Sequence, residues 1–133
     1  MIRKKTLLGS CFLLATGCLL PSASQSVIAE AILPDPLKAG WQGTQVCALI
    51  HEDDKLRILR CVFPPGVGHE RHFHPRHVGY VLEGGTMQIT DSRGTRTVGV
   101  KTGTSFSSDG IVWHEALNVG DTTSSYLMIE PKS

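Results

Sequence analysis

From residue 44 onward the chain breaks into short runs rich in Val, Ile, Leu, Tyr and Thr, separated by turn-forming residues. The runs cover residues 44–51, 55–63, 70–74, 77–83, 86–91, 95–99, 104–107, 111–118 and 124–130. Between them stand Asp53-Asp54, Pro64-Pro65-Gly66, Gly84-Gly85, Ser92-Arg93-Gly94, Gly103, Asp109-Gly110 and Gly120-Asp121. Apolar runs of this length bounded by Gly, Pro and Asp predict strands. No 3.6-residue apolar period is sustained in this part, so little helix is expected. Eight or nine short strands at even spacing predict an all-β sandwich or barrel. A chain of 133 residues buries a modest core, which a closed barrel, a disulfide, a metal or a dimer would reinforce.

The first 24 residues follow another pattern. Arg3, Lys4 and Lys5 precede an apolar run over residues 7–20, and Pro21-Ser22-Ala23-Ser24 closes it. That layout predicts a secretory signal peptide over residues 1–24. The apolar run is about 14 residues, short of the roughly 20 that span a bilayer. Cleavage after Ser24 and cleavage after Ala29 both satisfy the small-residue rule, and Ala15-Thr16-Gly17-Cys18 resembles a lipoprotein signal that would anchor the chain through Cys18. The expected location is therefore periplasmic or extracellular, with a lipid-anchored alternative. Residues 25–43 contain Pro34 and Pro36 and no sustained period, and they read as a linker or an arm lying over the domain. The domain proper is expected over residues 44–133.

Export changes the charge balance. The 13 basic residues lose Arg3, Lys4 and Lys5, while all 12 acidic residues remain, so the mature chain is slightly acidic. This argues against a nucleic-acid or anionic-membrane partner, both of which need a basic face. Cys47 and Cys61 are the cysteines left after the signal. If Asp53-Asp54 forms a turn, they lie nearly opposite each other on flanking strands. An exported compartment permits a disulfide there; otherwise they pack as two small apolar residues.

The chemistry concentrates around residues 66–85. Four of the six histidines, His69, His72, His74 and His77, fall there, and His114 follows after a stretch of Gly and Ser. In a strand His72 and His74 share a face, and two imidazoles on one face can hold one cation. His77 follows the bend expected at Pro75. His72, His74, His77 and His114 are the candidate metal ligands. Glu70 lies on the His72/His74 face by simple alternation and is the candidate base or ligand-orienting group, with a rim salt bridge as the alternative. His69 reads as a rim histidine and His51 as an exposed turn neighbour. Tyr80, Met87, Phe106, Trp113 and Met128 read as barrel packing, and Asn118 as the stabiliser of a turn or strand end.

Gly66, five residues and His72-Phe73-His74 resemble the first cupin motif, with Tyr80-Val81-Leu82-Glu83-Gly84 as its closing strand. Gly103, residues 104–108, His114 and Asn118 resemble the second. Two departures stand out. His77 occupies the position of the family's glutamate, and Asp109 that of the second motif's proline. The resemblance covers about residues 44–130 and implies a small antiparallel β-barrel of jelly-roll type (a double-stranded β-helix), often a homodimer. It implies a metal site whose usual three histidines and glutamate become four histidines. Such a set suits zinc, iron, nickel, copper or manganese rather than magnesium or calcium. Lacking a carboxylate, it leaves the ion nearly its full charge, which favours acidifying a bound water or polarising a bound carbonyl. The implied function is a metal-dependent enzyme on a small oxygenated molecule, of dioxygenase, isomerase or lyase type; a non-catalytic metal- or ligand-binding module is the alternative.

Overall fold

The computed structural model describes residues 32–132. The expected signal peptide and Cys18 lie outside them. Among the described residues every regular element is a strand, and every pairing is antiparallel. A small ribbon comes first, β1 (Gly40–Trp41) with β2 (Thr44–Gln45). A five-stranded sheet contains β3 (Cys47–Glu52), β4 (Leu56–Phe63), β6 (His77–Glu83), β9 (Ser105–Ser108) and β11 (Ser124–Pro131), in the order β3-β4-β11-β6-β9. A four-stranded sheet contains β5 (Gly68–His74), β7 (Gly85–Asp91), β8 (Gly94–Val100) and β10 (Ile111–Asn118), in the order β5-β10-β7-β8. Each predicted run has its strand.

The two sheets close on a shared core. Leu59, Cys61, Phe63, Val81, Tyr126 and Met128 come from one, and Met87 and Ala116 from the other. Alternation along β11 shows how the sequence achieves this: Tyr126, Met128 and Glu130 point in, while Leu127 and Ile129 are only partly covered. Gly66 and Gly103, the leading glycines of the two motifs, have φ of 77° and 79°, a region open to glycine at little cost. Gly79 has a packing reason instead. A Cβ there would lie 2.1 Å from a ring carbon of Phe106, so the missing side chain lets that ring cross β6. Asn118 is buried at the end of β10, donating to the carbonyls of Phe63 and Thr122 at 2.7 and 2.8 Å and accepting from the Gly120 amide.

Cys47 and Cys61 are cross-strand partners in the β3–β4 pair and form a disulfide. Both are buried, and the bridge ties the outermost strand of the larger sheet to its neighbour. With a sequence separation of 14, its loss in the Cys47→Ala/Cys61→Ala double variant is expected to lower stability by about 3 kcal/mol. Urea unfolding checks this; equal midpoints and slopes for variant and parent would show that the bridge contributes nothing.

The segment before β1 is packed against the barrel. The Pro34 carbonyl accepts from the Phe73 amide of β5, and Asp35 caps the turn that follows by accepting from the Leu37 and Lys38 amides.

Candidate metal centre

β5 and β10 carry His69, His72, His74 and His114, and two irregularities in their pairing set which side chains face inward. His114 pairs with His72 and Ala116 with His69, so three steps on β5 are matched by two on β10. Ile111 pairs with His74, so three steps on β10 are matched by two on β5. Each extra residue is a bulge that resets the alternation. The first turns His69 inward along with His72 and His74, and leaves Glu70 and Arg71 outside. The second does the same for Ile111 and His114, leaving Val112 85% exposed.

The result is a knot of imidazoles. His72 and His74 are 0% and 6% exposed. The Nε2 atoms of His74 and His114 lie 2.9 and 3.0 Å from the Nε2 of His72. The three histidines each offer one nitrogen within 4.8 Å of the others. The opposite nitrogen of two rings is already committed. His72 donates from Nδ1 to the Glu70 carbonyl at 2.6 Å, and His74 Nδ1 faces Glu130 Oε1 at 3.5 Å. The first bond fixes the His72 tautomer so that its Nε2 carries a lone pair, and the carboxylate facing His74 Nδ1 favours the same tautomer there. Lone pairs at 2.9 Å repel unless a cation sits between them. Protonation is disfavoured, because burial and then the neighbouring His72 press His74 and His114 down to about 2, and burial lowers His72 as well. A metal ion fits: two nitrogens about 2.1 Å from one ion and at right angles to each other lie roughly 3 Å apart.

Over half of the chain, residues 59–130, matches the family model for the cupin domain. The chain belongs to the cupin family. Solved structures agree on the fold. A cupin domain from Bordetella pertussis superposes with a TM-score of 0.63 at 22% identity, covering 66% of this chain and 93% of that one. The polyketide cyclase RemF from Streptomyces resistomycificus gives 0.54 at 22% identity, covering 71% and 73%. A cupin superfamily protein from Desulfitobacterium hafniense gives 0.50 at 15% identity, covering 65% and 76%. No match was found among curated proteins.

Within this cupin, the structure brings three of the four expected ligands together. His77 stands just outside that set, its ring centroid 4.9 Å from that of His74. It is buried, and its Nδ1 donates to the Pro75 carbonyl at 2.8 Å, which leaves Nε2 as the ring's acceptor. Glu70 is not part of the site. The bulge turns its side chain outward, and its carboxylate accepts from the Gln42 amide at 2.9 Å. The backbone of Glu70, not its carboxylate, orients His72. His69 is not at the rim but 2% exposed, and its Nε2 lies 3.1 and 3.3 Å from the carbonyls of Pro36 and Ala39. That nitrogen is the donor, so it is spent on the arm. Burial, then His72, depresses its pKa to about 3. His51 is exposed beside Asp53, as expected. Trp113 is not in the barrel. It carries the Arg71 guanidinium 4.0 Å over its ring, and Tyr80 likewise faces outward at 42% exposed.

The sequence reading missed the support behind His74. Glu130 is 1% exposed and pairs with Arg57, which also binds Asp35 at 3.2 Å. Burial pushes the Glu130 carboxyl up, against the pull of Arg57. Alternation from Met128 puts Glu130 on the inner face, so the signal was present in the strand itself.

The open side of the site is a cavity of about 280 Å³. His74, His77 and His114 reach it, and its walls are otherwise mostly apolar.

Proposed function

We propose that this cupin is an exported, metal-dependent enzyme acting on a small oxygenated molecule. One observation carries the reading: three imidazole nitrogens converge, and two of their rings, His74 and His114, line together with His77 a cavity large enough for a small ligand. A divalent transition ion held there would supply Lewis-acid activation of an oxygen donor. The chain's own groups do the rest. The Glu70 carbonyl and Glu130 hold His72 and His74 in the tautomers that present Nε2. His77 presents an acceptor nitrogen beside the trio, placed to take a proton from the ligand. The apolar walls exclude water and so strengthen electrostatic interactions inside. The Cys47–Cys61 bridge supports export, since disulfides persist in oxidising compartments.

Glu70 lies outside the site, so the acid–base complement is sparse, and this favours the second reading, a metal- or ligand-binding module without turnover. Cobalt(II) loading separates enzyme from purely structural metal. Acetohydroxamate added to the cobalt protein is expected to shift its visible spectrum, because a three-nitrogen site retains open positions. An unchanged spectrum means a closed site and no activation of substrate. If the spectrum does shift, oxygen uptake with diketones and flavonols, and loss of ultraviolet absorbance with unsaturated acids, test for turnover.

A further inference from the structure

We propose that the ligand of this site is a small carboxylic acid with a mainly apolar body, and that Arg96 holds its carboxylate. The proposal rests on the reading that the histidine trio holds a metal, and it names the class of molecule that would meet it.

Arg96 is in register with Ile89, Ile89 with Ala116, and Ala116 with His69. These four form one row across the inner face of the smaller sheet, so Arg96 shares the cavity with the histidines rather than facing outward. Among the described residues lining that cavity it is the one arginine, and no lysine, aspartate or glutamate joins it. Its charge is not fully matched. Arg96 Nη1 and Arg93 Nη2 each lie 2.9 Å from the same oxygen, Oδ2 of Asp91. One carboxylate facing two guanidiniums leaves a net positive charge. The Arg96 side chain is 41% exposed, so other donors of its planar fork are open to a second carboxylate.

The walls decide the body of the ligand. Met87, Ile89, Val98, Val100, Phe106 and Met128 offer no hydrogen bonds to a hydroxyl. Apart from the Tyr126 hydroxyl and the imidazoles, the cavity offers the hydroxyls of a polyhydroxylated sugar acid little to replace their lost hydration, whereas an aryl or alkyl body gains by burial. At about 280 Å³ the cavity falls just below the roughly 300–1,000 Å³ that drug-sized ligands use, so the body is small.

The test is calorimetric titration of the zinc-loaded protein with phenylpropionate, phenylpropanamide and gluconate. Phenylpropionate is expected to bind about tenfold or more tightly than its neutral amide, the value of a hydrogen bond to a charged group. Gluconate is expected to show no measurable binding. In Arg96→Met the acid and the amide become equal, while zinc content per chain is unchanged; Arg96→Lys keeps part of the preference. A preference that survives in Arg96→Met would place the carboxylate elsewhere and overturn the proposal. Gluconate binding as tightly as phenylpropionate would overturn the apolar body. Zinc content is measured separately. A protein that takes up no zinc yet loses its preference in Arg96→Met would sink the metal reading and leave Arg96 standing.

Discussion

His114→Ala is expected to abolish tight metal binding while the metal-free protein stays folded. His114 Nε2 is 3.0 Å from that of His72, and its removal leaves two of the three convergent nitrogens. Loss of an outer-shell partner alone lowers metal affinity about 10–100-fold, so loss of a ligand should exceed about 100-fold. Zinc at 100 times its Kd should stabilise the parent by about 2.7 kcal/mol. For a domain of this size that raises Tm by roughly 10–20 °C. The variant should show no such rise. Its metal-free Tm should move little, because removing one of three crowded lone pairs relieves repulsion that offsets the lost packing. Elemental analysis and thermal melts with and without zinc check both halves. Equal zinc affinity in parent and variant would end the case for a shared ion.

The second large effect comes from Arg57. Its guanidinium is the counter-charge of Glu130, which is 1% exposed, and it also reaches Asp35. Arg57→Ala leaves that carboxylate buried and unpaired, a change that costs about 3–5 kcal/mol. Replacing both partners by apolar groups, as in Arg57→Met/Glu130→Leu, should recover most of the stability. It should not recover metal affinity, because His74 loses the acceptor for its Nδ1 proton. A fall of about 10–100-fold is expected. Chemical unfolding and zinc titration of the two variants separate the roles. A double variant that binds zinc like the parent would make Glu130 a purely structural charge.

Strand positions were readable because each is written in a local alphabet: β-branched and aromatic residues inside, glycine, proline or aspartate at the ends. The Cys47–Cys61 pairing followed from the Asp53-Asp54 turn. What failed was phase. Simple alternation puts Glu70 beside His72 and sends His69 and Arg71 the other way. A bulge in β5 shifts the count by one, so His69 joins the inner face and Glu70 leaves it. A bulge arises from the pairing of two strands some forty residues apart, and nothing in the run from Gly68 to His74 announces it. Trp113 was misplaced for another reason: as the neighbour of inward-facing His114 it is sent outward by alternation alone, and its aromatic bulk was read as packing instead. Glu130 is a different miss. Its strand and phase were both available, but a charge in an apolar run was not weighed as an inward-facing group. Its partner Arg57, and the Asp35 that Arg57 also binds, lie 73 and 95 residues earlier in the chain, a distance no local pattern spans.

The region recognisable as cupin by sequence starts at residue 59, two positions after Arg57. The carbonyls that accept from His69, the aspartate that braces Arg57 and the partner of Cys61 all belong to the stretch upstream. A fragment trimmed to that core would expose a free thiol beside the cavity and strand an anion behind His74. The minimal unit able to assemble this centre therefore reaches back at least to Asp35, and proteolytic maturation that cut beyond that point would disarm the protein.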